Sequence, residues 1–128
     1  MLSTPPVQKG SVWSRRVGGE VRQTPALAHG LVYVTTSQGK VVALEAALGT
    51  ERWRADVGGE ITAAPTVAGA SVLIGTESGG VFGLNAHTGE ALWAFNTGSK
   101  ITGRPVVAGE TMYVVSHDGV LYAITGSE

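Results

Sequence analysis

The sequence predicts an all-β chain built from one four-stranded unit repeated about three times, and three observations predict it. The first is a gapless period of 40 residues. Trp13, Trp53 and Trp93 fall one period apart, and the same shift superposes Gly18, Gly58 and Gly98, then Pro25, Pro65 and Pro105, then Gly39, Gly79 and Gly119. A fixed period of this length marks a repeat architecture, in which one supersecondary unit is stacked on its neighbours. The second is the punctuation inside a unit, where short apolar runs alternate with Gly-containing turns. The third is that no window places apolar residues at helical i, i+3, i+4, i+7 spacing between caps.

Each strand of the unit has its own justification. In the second unit "APTVAG" is a short apolar run that opens with Pro and ends in Gly. Pro is tolerated at the start of an edge strand, where its missing N–H is not needed. "SVLIGT" is apolar and β-branched, "ESGG" is a turn, "VFGLNA" is the third run, "HTGE" a turn and "ALWAFN" the fourth run. In the second strand Val32, Val34, Val72, Ile74, Met112 and Val114 point one way, and the apolar Tyr33, Leu73 and Tyr113 point the other. A strand apolar on both faces is covered on both faces. Four strands per period, stacked face to face, is the arithmetic of a β-propeller blade.

The period divides the chain. Residues 1–10 read as an N-terminal tail and 11–126 as the repeats. Residues 11–17 carry a Trp in the fourth-strand column, blade 1 is expected over 24–57, blade 2 over 64–97, and blade 3 over 104–124 without its fourth strand. Propellers commonly have 4–8 blades, so about three need completion. Two completions are expected. Either residues 11–17 act as a latch strand on another copy, so that a dimer makes a six-bladed ring, or the missing blades lie in a longer parent propeller. Three copies making nine blades fits less well. A gapless period also suits a protein engineered for symmetry.

The phrase "GLNAHTGEALW", with its earlier copy "ALEAALGTERW", resembles the tryptophan-docking motif A-x-D-x-x-T-G-x-x-x-W of PQQ-like (pyrroloquinoline-quinone-type) propeller repeats. Gly83 and Asn85 replace Ala and Asp in one copy, and Glu45 and Leu48 replace Asp and Thr in the other. The resemblance implies that Trp13, Trp53 and Trp93 dock between blades, with Gly49 and Gly89 as the tight turns beneath them. The family includes quinoprotein dehydrogenases, BamB-type outer-membrane assembly scaffolds and sensor-like propellers attached to kinases. It implies a bacterial periplasmic or envelope setting.

Composition narrows the function. A net charge of −1 gives no general attraction to nucleic acid or anionic membranes. The absence of Cys excludes thiol catalysis and Cys-ligated zinc. No apolar run approaches the roughly 20 residues of a membrane-spanning helix, and "MLSTPPVQKG" has no apolar h-region of a signal peptide. "SQGK" is not a phosphate loop, because Val34 stands where its first Gly belongs and no Ser or Thr follows Lys40. No G-x-S-x-G elbow occurs. His29, His87 and His117 fall in three different columns and are expected not to converge, and His117 with Asp118 reads as hairpin-turn chemistry.

These readings name no catalytic, cofactor-binding or metal-ligating residue and no cofactor. The link from each fourth strand to the next first strand varies most in charge, as "GGEVRQT", "GGEITAA" and "GSKITGR". Candidate contact residues on that loop face are Arg22, Gln23, Glu60, Lys100 and Arg104, with His117 and Asp118 in the second-to-third strand turn; Glu20, Lys40 and Glu77 lie beside them. The expected function is a non-catalytic scaffold for a protein or peptide. A remnant of a quinoprotein oxidoreductase and a sensory module of a kinase-linked propeller are the alternatives.

Overall fold

Glycine turns cut the chain into strands throughout. In a computed structural model, which describes residues 13–125, the strands are β1 (Ala26–Ala28), β2 (Leu31–Thr35), β3 (Lys40–Glu45), β4 (Glu51–Asp56), β5 (Thr66–Ala68), β6 (Ser71–Gly75), β7 (Gly80–Asn85), β8 (Ala91–Asn96), β9 (Val106–Ala108), β10 (Thr111–Val115) and β11 (Leu121–Thr125). Pro25, Pro65 and Pro105 each immediately precede a three-residue strand at a sheet edge, as a residue without an N–H allows.

Three antiparallel meanders result, ordered β1-β2-β3-β4, β5-β6-β7-β8 and β9-β10-β11. The register repeats with the sequence: Val32 faces Leu44, Val72 faces Leu84 and Met112 faces Ile124. Both complete sheets carry the same irregularity, a shift between Ala43 and Leu44 and between Gly83 and Leu84, where the fourth strand gains a residue. Such a bulge bends the outer strand and increases its twist. Among the described residues, 13–17 make no strand pair and β11 pairs with β10 alone. The first two residues of the expected latch, 11 and 12, lie outside the described residues.

The core lies between the sheets. One cluster joins Leu31, Tyr33, Val41, Ala43 and Trp53 of the first sheet to Ile61, Val72, Ile74, Leu84 and Ala86 of the second unit. A second joins Leu73 and Val81 to Ile101, Met112 and Val114. A third lies on the outer face of the first sheet, where Val17, with Trp13 beside it, covers Val34, Val42 and Leu44. Alternate residues of one strand therefore serve opposite seams, which explains why the strands are apolar on both faces. The outer face of the third sheet differs: Tyr113, Val115 and Leu121 are exposed there, while Tyr33 in the column of Tyr113 is fully buried.

Candidate functional site

The indoles sit across the seams. Trp13 Nε1 donates to the Ala46 carbonyl at 3.0 Å, and Trp53 Nε1 donates to the Ala86 carbonyl at 3.0 Å. The repeat thus reproduces one hydrogen bond 40 residues on. Gly49 and Gly89 lie under these rings, and a Cβ at Gly49 would stand 2.5 Å from Trp13 Cε3. Both glycines also hold a left-handed φ, 75° and 79°, which strains any other side chain. The Tyr33 hydroxyl donates to the same Ala86 carbonyl at 2.9 Å, so one buried oxygen uses both lone pairs. Burial pushes the Tyr33 phenol above its ordinary pKa. Trp93 is half-buried against Gly83 of its own sheet; the residue matching Ala46 and Ala86 is 126, outside the described residues.

A second constellation gathers the variable charges. The second-to-third strand turns meet the links that precede each sheet. Ser37 N–H donates to the Glu20 carbonyl, Glu77 N–H to Glu60, and His117 N–H to Lys100, at 2.8, 2.8 and 2.7 Å. Arg22 lies 3.0 Å from Glu20 and 3.6 Å from Glu60, and Lys100 lies 3.8 Å from Glu77. The hydrogen bond that Arg22 donates to Glu20, and the Glu20 charge, raise the Arg22 pKa. Lys40 Nζ sits 2.7 Å from Asp56 and holds that carboxylate below its ordinary pKa, with help from the Gly58 N–H. Asp118 accepts from the Ser116 hydroxyl and serves its turn rather than His117.

Two expected contact residues stand apart from this ladder. Gln23 is half-buried ahead of Pro25. Arg104 lines the inner surface instead, a concave region of about 490 Å³ walled by Pro25, Leu27, Pro65, Val67, Pro105 and Val106. The link is too extended for its two ends to share a face.

The histidine expectation is corrected. His29 and His87 do converge, with ring centroids 4.8 Å apart, while His117 lies in a turn with neither. The reason is topological. The β1–β2 turn of one sheet and the β7–β8 turn of the next open on the same end of the meanders, so different columns of neighbouring units meet across a seam. The signal that sequence reading missed is the column His29, Gly69, Gly109, in which one imidazole replaces glycine.

The sequence model of the outer membrane protein assembly factor BamB family matches residues 7–127. The chain belongs to this family. Its three sheets are propeller blades of the BamB type, and the crystal structure of BamB from Moraxella catarrhalis superposes with a TM-score of 0.80 at 23% identity, covering 89% of this chain and 36% of that one. The computationally designed Ika4 protein superposes with a TM-score of 0.72 at 17% identity over 79% of this chain and 63% of its own. Quinohemoprotein alcohol dehydrogenase from Comamonas testosteroni gives 0.66 at 25% identity, over 75% of this chain and 17% of its own. The chain therefore spans about a third of the length of the BamB structure and less of the dehydrogenase. Among curated proteins none matches. Among the described residues of this BamB-family chain no helix is long and apolar enough to cross a membrane.

Proposed function

We propose that this BamB-family chain is a non-catalytic propeller scaffold whose turn face binds a protein or peptide, and that a second copy completes its ring. The observation that carries the first part is the exposed ladder Glu20, Arg22, Glu60, Lys100 and Glu77. It is held on a backbone frame that repeats with the blades while its charges do not. A rigid frame with variable loops is where propellers and other scaffolds carry recognition. Alternating exposed charges contribute little to stability, which leaves them free to select a partner by charge complementarity. The family relation supports an envelope location. Trp13 and Trp53, on Gly49 and Gly89, are the inter-blade docking residues of this scaffold, and Trp93 holds the same column.

The second part rests on a single segment, residues 13–17, and a sheet of three strands. Residues 13–17 lie on the first blade as a fourth strand of a preceding blade would, with the Trp13 hydrogen bond matching that of Trp53. Among the described residues nothing pairs with the outer edge of β11, and the face beside it is apolar. The period places Arg15 opposite Leu121, as Ala55 faces Val41 and Phe95 faces Val81.

Panning a random peptide display library on the protein tests the turn-face part. Enriched peptides should lose binding to the Arg22→Glu, Lys100→Glu double variant; enrichment indifferent to both charges would remove the ladder from recognition. The quinohemoprotein neighbour favours a second reading, a segment of a quinone-dependent oxidoreductase. Absorbance titration with pyrroloquinoline quinone and Ca²⁺ separates the two. The scaffold reading expects no saturable binding, and saturation would replace it.

A further inference from the structure

His29 breaks its repeat column. Positions 29, 69 and 109 all hold a left-handed backbone, with φ of 58°, 59° and 64°, and only the first carries a side chain. For an L-residue this conformation crowds Cβ against the following carbonyl and is strained. The ring on this backbone is anchored. His29 Nε2 lies 2.7 Å from the Gly69 carbonyl oxygen, in the equivalent turn of the next blade. A carbonyl only accepts, so Nε2 carries a proton, and in its neutral form the ring keeps its lone pair on Nδ1. A carbonyl that fixes one imidazole N–H and frees the other nitrogen is the usual support of a metal-ligating histidine.

The second ring stands at the matching distance. His87 lies with its centroid 4.8 Å from that of His29, tilted by 54°. Its backbone is fixed, because its N–H and that of Thr88 both donate to Asn85 Oδ1. Among the described residues the His87 ring has no hydrogen-bond partner. Two imidazoles on one ion, at about 2.0–2.1 Å and a near-tetrahedral angle, have centroids roughly 5 Å apart.

We propose that His29 and His87 form a two-histidine site for a borderline divalent transition cation, of the class of Zn²⁺, Ni²⁺ or Cu²⁺, which clips blades 1 and 2 together at their rim. Imidazole suits this class of ion. Among the described residues no group of three or more His, Cys, Asp or Glu is assembled, so water fills the remaining positions and the exposed site exchanges its ion readily. The metal would hold the seam from outside while the Trp53–Ala86 bond holds it from inside.

The test uses tag-free full chain with Zn²⁺, and with Ni²⁺ as a second probe. Calorimetric titration should show saturable binding, and excess Zn²⁺ should raise the melting temperature, since a ligand that favours the folded state stabilises it. His29→Gly and His87→Gln should each weaken binding by more than the roughly ten-fold that loss of a ligand's supporting partner costs, and reduce the thermal shift accordingly. His117→Gln should change neither. His29→Gly installs the residue that the other blades use, so without metal it should melt at or above the parent, which separates ligand loss from misfolding. Absence of binding in the parent, or parent-like binding in either His29→Gly or His87→Gln, would overturn the site.

Discussion

At the residue scale the seam rests on a few side chains with more than one task. Trp53 fills the space over Gly89 and donates to the Ala86 carbonyl, so Trp53→Ala removes a buried aromatic and orphans part of an acceptor. A loss of about 3–5 kcal/mol is expected in chemical denaturation, and a smaller loss for Trp93→Ala, because Trp93 is half-buried. Gly89→Ala should be worse than Gly58→Ala: both positions have positive φ, but only a Cβ at Gly89 meets a ring. Equal losses would show that the ring contact is not what selects the glycine. Tyr33→Phe should cost about 1 kcal/mol, the net worth of one hydrogen bond. The Lys40–Asp56 pair gives a pH prediction. Its carboxylate is held below the ordinary range in the folded state, so its contribution is present above the unfolded pKa and fades as pH falls through the lowered value. Carboxyl NMR titration of Lys40→Met should move the Asp56 pKa upward, and an unmoved value would leave Lys40 without that role.

At the element scale the sequence was informative wherever a feature recurs every 40 residues. Proline before each first strand, glycine after each second-to-third strand turn and apolar residues on both strand faces were all legible, because each records a local rule of backbone or burial. The strands of the two complete sheets follow from these rules. The features that escaped are relations between units. The Ala86 carbonyl shared by Tyr33 and Trp53 joins residues 53 and 33 positions away, and no column comparison shows it. The His29–His87 approach is of the same kind. The separation of Arg104 from Arg22 and Lys100 escaped for a different reason: an extended link changes face within a few residues, so a shared segment does not mean a shared surface.

At the scale of the whole molecule the blades stack as repeats whose stability comes largely from neighbour contacts. The inner seams are closed, while the outer face of the third blade presents Tyr113, Val115 and Leu121 to solvent, Leu121 being 64% exposed. An apolar face beside a free strand edge is a surface that a protein must cover or lose to aggregation. The proposed cover is the Trp13–Val17 segment of a second copy, placed reciprocally so that the pair closes into six blades. The most direct measurement exploits the absence of cysteine. Arg15→Cys and Leu121→Cys are combined in one chain, oxidised under mild conditions and weighed by light scattering with and without reductant. The account predicts a dimer held by disulfides between copies, with the parent also dimeric. A monomer in both proteins, or an open ladder of larger oligomers, would contradict closure by a second copy.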